Sequence, residues 1–338
     1  MTDSQQQRFA ELVGVAACFV LKNLAWYYVS TRRAKSRVGQ VQQILIYPVK
    51  SCRGFALPEA EIRDGGICWR EVRDRSYLVL SSADNKFVSL KVFPTLHQVQ
   101  PALDPDRLGR ILLTADGHES VPVPDPVRLN RPVTFDFKGE KHSGLDCGDE
   151  VAAWLNSVCN RQDLRLVYCP SNQRSVADKM RALDKQGGML QVYDSLHETS
   201  ANRIAFADKA PILMVSDKSF EALNNRLTGK HPGVDWRNFR PNLVISGVQQ
   251  DREEDNWGFV YFAGGCILAA AFPCERCIMV NLDYSAGDRA VAPSGNPVLT
   301  ALAPYRSGPK FKNPLFGVDC TVEMPGRVAI GEAVFADA

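Results

Sequence analysis

Cys274 and Cys277, in Phe-Pro-Cys-Glu-Arg-Cys-Ile-Met-Val, are the most closely spaced cysteines of the chain. A structural zinc site wants a second close pair of ligands, and no other cysteines supply one. A reactive dithiol opens a helix, whereas Ile278-Met279-Val280 predicts the start of a strand. Two readings remain: a single thiolate ligand to a soft-accepting transition metal, with Arg276 beside it to favour the anion, or two buried thiols. A second group is cationic. Lys50 and Ser51 follow Tyr47-Pro48-Val49, where Pro48 ends a strand ladder; Arg75 follows Arg73-Asp74; Arg240 precedes an apolar run in Trp236-Arg237-Asn238-Phe239-Arg240-Pro241-Asn242. Singly each reads as a solvated surface charge, but together, mounted at strand ends, they could form an anion site. The five histidines lie far apart without ligand spacing, and the chain has no GxxxxGK[ST], GxGxxG, HExxH or GxSxG motif.

The elements that would carry these residues are mostly strands. Apolar or alternating runs at 41–49, 77–80, 87–92, 111–113, 133–137 and 164–168 are bounded by Gly, Pro, Asp and Asn, followed by a helix over 150–159 with Asp149 as a possible N-cap. Residues 171–203 carry no strand run and mark a boundary. Beyond it come a strand at 212–215, a helix over 216–227 capped by Ser216, and strands at 243–245, 259–262, 267–271, 278–281, 320–324 and 328–330. Many short strands and few helices predict an α+β, β-rich architecture of barrels or sandwiches rather than a doubly wound sheet.

The 338 residues suggest two domains, and 45% hydrophobic with 23% charged residues describes a chain able to bury a core. Forty basic against thirty-eight acidic residues leave a net charge of +2, too little for a strong nucleic-acid field. Ten cysteines dispersed over this length point to a reducing compartment. Residues 12–29 form an apolar-leaning stretch of about 27 Å as a helix, marginally a membrane span, interrupted by Lys22 and Asn23. Arg32, Arg33, Lys35 and Arg37 after it would keep the rest cytosolic; an amphipathic helix is the alternative.

Six motifs in order, Ile46-Tyr47-Pro48-Val49-Lys50-Ser51-Cys52 with Gly54, Arg73-Asp74-Arg75, Asp146-Cys147-Gly148, Asn238-Phe239-Arg240-Pro241-Asn242, Cys274-Glu275-Arg276-Cys277 and Pro314-Leu315-Phe316-Gly317, resemble the MOSC-domain family, above all its amidoxime-reducing members. The resemblance runs from about residue 38 to 335. It implies a signal anchor in 1–37, a MOSC N-terminal β-rich domain in 38–170, a connecting segment in 171–203 and a MOSC β-barrel in 204–338. It further implies Mo-molybdopterin between the two domains, with Cys277 as metal ligand and catalytic residue. Lys50, Ser51, Arg75, Arg240 and Asn242 would hold the cofactor, as would Glu275, Arg276 and the turn Asp208-Lys209-Ala210, largely through backbone groups. Asp319 is a further cofactor-holding position; the chain departs from the family there, where a tyrosine is familiar, and at Lys209 and Ala210, where hydroxyl residues are usual, changes that could alter substrate fit without removing the cofactor.

The activity so implied is reduction of N-hydroxylated compounds (amidoximes, hydroxylamines, N-hydroxyguanidines), with electrons from cytochrome b5 and its NADH-dependent reductase. The implied location is the outer mitochondrial membrane facing the cytosol, although peroxisomal and endoplasmic reticulum anchors share the pattern. The competing class is a cofactor carrier without turnover. A membrane-anchored scaffold would hold no molybdenum at all.

Overall fold

The computed structural model describes residues 35–176, 203–227, 229, 232–282, 295–309 and 311–337. The apolar stretch 12–29 and most of the connecting segment 171–203 lie outside the described residues. Among the described residues no helix is long and apolar enough to cross a membrane.

Two closed systems of strands dominate. In the first half, Pro132–Phe137, Glu140–Asp146, Leu164–Tyr168, Tyr77–Ser81 and Lys86–Phe87 hydrogen-bond in that order and close into a small barrel. Phe135, Phe137, Leu78, Leu80, Val167 and Phe206 fill it. In the second half the order is Leu243–Ser246, Ile212–Ser216, Leu315–Met324, Ile267–Glu275, Phe259–Phe262, Ala333–Asp337 and Lys35–Ile46, and the last of these pairs again with the first. Seven strands therefore close on themselves, and the strand that seals them comes from the opposite end of the sequence. Gln40 to Ile44 faces Ser246 to Leu243 on one side, while Lys35 to Gln40 faces Asp337 to Ala333 on the other.

The exchange is reciprocal. Gly326–Ala329, near the C-terminus, pairs with Glu59–Arg63 in the sheet that continues through Gly66–Trp69 and Val72–Arg73. The largest apolar cluster accordingly draws on both halves, joining Ile44, Ile62, Val79 and Leu155 to Val260, Leu268 and Val334.

Several sequence expectations shift in detail. The 41–49 strand begins earlier and ends at Ile46, because Tyr47 and Pro48 turn the chain toward the cleft. Of 87–92 only Phe87, in the paired stretch Lys86–Phe87, and Val88, whose amide donates to the Val79 carbonyl at 2.8 Å, reach the neighbouring strand; the amides of Val92 and Phe93 turn back onto the Ser89 carbonyl at 3.0 and 2.9 Å. Gly148, at φ +98°, rather than Asp149 is the N-cap of the helix Asp149–Cys159, and the Asp149 carboxylate instead pairs with Arg131 and Arg165. Ser216 does cap, its Oγ accepting from the Ser219 amide at 3.2 Å at the start of helix Asp217–Leu227. Ile278–Asn281 is a 3-10 turn and not a strand: the Val280 and Leu282 amides bond back to the Cys277 and Met279 carbonyls, each at 3.2 Å, so no ladder partner is needed.

Candidate functional site

A cleft of about 360 Å³ lies where the two strand systems meet, and all twelve residues singled out from the sequence line it: Lys50, Ser51, Arg75, Asp208, Lys209, Ala210, Arg240, Asn242, Glu275, Arg276, Cys277 and Asp319.

The cations arrive on turns that the flanking strands hold in place. Val49 bridges to Tyr77, and the Lys50 amide donates to the Tyr77 carbonyl at 2.8 Å. Ser51, Arg75 and Arg240 all occupy the left-handed region, at φ 71°, 48° and 58°. That conformation disfavours residues with a Cβ and concentrates where surrounding structure enforces it. Arg240 is the C-cap of the one-turn helix Trp236–Phe239. Its guanidinium donates to the Cys52 carbonyl at 2.6 Å and stacks over the Tyr47 ring, 4.4 Å from the centroid. Arg75 covers the same ring at 4.7 Å and donates to Asn242 Oδ1 at 3.2 Å and the Arg240 carbonyl at 3.0 Å. The Tyr47 ring thus carries two guanidiniums within cation–π distance. Gly54 permits this: a Cβ there would stand 2.4 Å from the Tyr47 ring.

Charge in the cleft is partly neutralised. Asp74 accepts from Arg75 and from the Tyr47 amide, at 2.8 Å for the latter. Burial opposes the Arg75 charge, yet Asp74 holds its pKa above the ordinary value. Lys50 is 6% exposed, and burial lowers its pKa to about 8 in spite of the Asp208 carboxylate 2.9 Å away. Asp319 is likewise buried, and burial raises its pKa to about 6 although Arg276 and Lys209 pull the other way. Lys209 Nζ lies 3.5 Å from Glu275, whose other oxygen accepts the Lys312 and Asn313 amides at 3.1 and 3.0 Å.

The two cysteines differ sharply. Cys274 is half-buried; burial pushes its thiol up to about 12, and Arg276 donates to its sulfur at 2.9 Å. Cys277 is the exposed cysteine among those described, at the end of the strand Ile267–Glu275 and just before the 3-10 turn. A thiolate ligand must be reachable, which favours Cys277 over its neighbour. Among the described residues no group of three His, Cys, Asp or Glu side chains is placed to hold a metal ion by itself.

Some residues of the site carry no sequence signal. Lys138, on the hairpin between Phe137 and Glu140, reaches Asp208 at 2.5 Å. Arg174 donates to the carbonyls of Ala207 and Asp208 and so pins that turn. Gly66, at φ +116°, lets the turn pack closely, since a Cβ would stand 2.7 Å from the Pro211 carbonyl. Asn238 lies inside a quoted motif, but its task emerges only here. Its amide donates to the Val280 and Leu282 carbonyls at 3.1 and 2.8 Å and its oxygen accepts the Asp235 amide at 3.1 Å, fixing the segment after Cys277.

Residues 38–162 match the MOSC N-terminal beta barrel domain and residues 201–335 the MOSC domain. The two barrels and the cleft between them are therefore those of a MOSC-domain protein. The chain is 32% identical over 336 residues to human mitochondrial amidoxime-reducing component 1, covering 96% of this chain and 90% of that one. It is 30% identical over 332 residues to the mouse counterpart, with the same coverage of 96% and 90%. Within the class, the chain belongs to the family of mitochondrial amidoxime-reducing components. It is also 29% identical over 303 residues to the molybdenum cofactor sulfurase of Oryza sativa subsp. japonica, covering 86% of this chain but 33% of that longer protein.

Proposed function

We propose that the protein is a molybdenum-cofactor-dependent reductase of N-hydroxylated compounds (amidoximes, hydroxylamines and N-hydroxyguanidines), supplied with electrons by cytochrome b5 and its NADH-dependent reductase. It would be held on the outer mitochondrial membrane by residues 12–29, with the catalytic part in the cytosol. The observation that carries this reading is one cleft uniting a single accessible cysteine with several buried or half-buried cations.

The residues present fit a phosphate-bearing pterin chelate of molybdenum. Arg276 Nε is buried, lines the cleft and has no protein partner among the described residues, so a ligand with a polar edge is what would satisfy it. Lys50, Lys138, Arg75 and Arg240 supply charge-assisted donors for phosphate and pterin oxygens, and Ser51 a hydroxyl. Cys277 would complete the metal's coordination. When bound, the cofactor supplies the two-electron oxygen-accepting chemistry that no side chain can. The chain's own part is to orient it, to keep the cation array rigid through Tyr47 and Asn242, and to hold the Cys277 backbone steady through Asn238.

The test is benzamidoxime reduction by the full chain with donor proteins supplied, together with molybdenum analysis. Cys277→Ser is expected to abolish turnover while the fold survives, and Cys274→Ser to retain most of it. A fully active Cys277→Ser variant overturns the ligand assignment, and bound molybdenum without turnover in the wild-type chain would make the protein a carrier.

A further inference from the structure

Asp208 lies across two lysines of the cleft wall. Its Oδ1 accepts from Lys50 Nζ at 2.9 Å and from Lys138 Nζ at 2.5 Å. The surroundings of those ammonium groups are otherwise aromatic: Lys50 Nζ stands 5.8 Å from the Phe87 ring centroid and 5.7 Å from that of Phe137, and Lys138 Nζ stands 5.6 Å from the latter. Arg75 and Arg174 add positive charge nearby. A buried ammonium needs an anion, and the carboxylate supplies it. The Asp208 side chain is nevertheless 69% exposed. Arg174 holds the backbone carbonyls of Ala207 and Asp208, so the side chain can rotate outward while the turn stays in place.

We propose that the Asp208 carboxylate is a placeholder: it occupies the seat of the ligand's anionic group between Lys50 and Lys138, and swings out when a phosphate enters. The proposal rests on the reading that a phosphate-bearing ligand enters this cleft. One carboxylate oxygen bridging two ammonium groups is a weaker partner than a phosphate, which brings nearly two negative charges and three acceptor oxygens. A phosphate therefore displaces it, whereas chloride or a free carboxylate gains little by doing so. Every anion's apparent affinity is reduced by the same closed fraction, so only the strong ones bind. The device sets a threshold that weakly held anions do not reach and keeps the buried Lys50 neutralised while the seat awaits its ligand.

Calorimetric titration of the cofactor-free full chain with pyrophosphate, and separately with acetate, tests this. Asp208→Asn is expected to bind pyrophosphate about tenfold more tightly than wild type and to gain measurable acetate binding. Pyrophosphate affinity that is unchanged or weaker in Asp208→Asn overturns the placeholder. The double variant Lys50→Met, Lys138→Met separates this failure from failure of the site: pyrophosphate binding as in wild type would show that the cleft is no phosphate seat. A readout without an Asp208 variant is the carbon-13 titration of the Asp208 carboxyl in the wild-type chain. The two ammonium groups hold it well below the ordinary range. Saturation with pyrophosphate should return it toward about 4, and an unchanged titration refutes the swing.

Discussion

Lys50 and Asp319 are costly residues for an empty fold. The Lys50 pKa falls from 10.5 to about 8, so between those values the unfolded chain holds more protons and stability rises with pH. Below pH 8 the buried charge costs on the order of 3 kcal/mol. Asp319 has the opposite sign: its pKa rises from 3.8 to about 6, so stability is highest below that window and is lost as pH climbs through 6. At pH 7 the penalty is again roughly 3 kcal/mol. Lys50→Met and Asp319→Asn are therefore each expected to raise the thermal midpoint of the cofactor-free chain at pH 7, by several degrees. Asp319→Asn should in addition flatten the pH dependence of stability between about 4 and 6. Lys50→Met should retain less molybdenum. Melting curves across pH with metal analysis check both; a lowered midpoint in either variant would show that the group stabilises the empty fold. Lys50 was legible in the sequence through its motif, and Asp319 as a departure two residues past Pro314-Leu315-Phe316-Gly317. Their shifted protonation was not, because it depends on burial by segments more than 150 positions away, such as Asp208 beside Lys50.

Asn238 marks the scale of the element. Two hydrogen bonds donated by one buried side chain join the one-turn helix Trp236–Phe239 to the segment following Cys277, while its oxygen accepts the Asp235 amide at the start of that helix. Asn238→Ala leaves two buried carbonyls short of a donor and is expected to destabilise the chain by about 2–4 kcal/mol, measured by urea unfolding. Molybdenum retention should fall with it, because the ligand loop loses its anchor. The same bonds explain why 278–281 reads as a strand in the sequence and folds as a 3-10 turn. A run of three apolar residues has no period long enough to separate the two, and the deciding partner is 42 positions away. Where a local rule acts alone, as with the Ser216 cap, the sequence suffices. For 87–92 it does not, since only the first two residues of that span bond to a neighbouring strand.

The whole molecule is stitched by exchange: the strand Lys35–Ile46 seals the C-terminal barrel, and Gly326–Ala329 extends an N-terminal sheet. Sequence order suggests two successive domains, and periodicity within one strand carries no information about which barrel it joins. Residues 204–338 expressed alone would lack the sealing strand, leaving the edges of Leu243–Ser246 and Ala333–Asp337 unpaired. That fragment is expected to aggregate, while the full chain unfolds in one calorimetric transition. Two well-separated transitions would contradict the merged core. The pairing of Lys35 with Asp337 also brings both ends of the described chain to one edge of the barrel, in antiparallel bonds that lie across the strands. Force applied through the two ends would load those bonds one after another, as a zipper opens. A chain tugged by its extremities should yield at low force along this seam, and a covalent loop joining its ends should remove that mechanical weakness while leaving the cleft untouched.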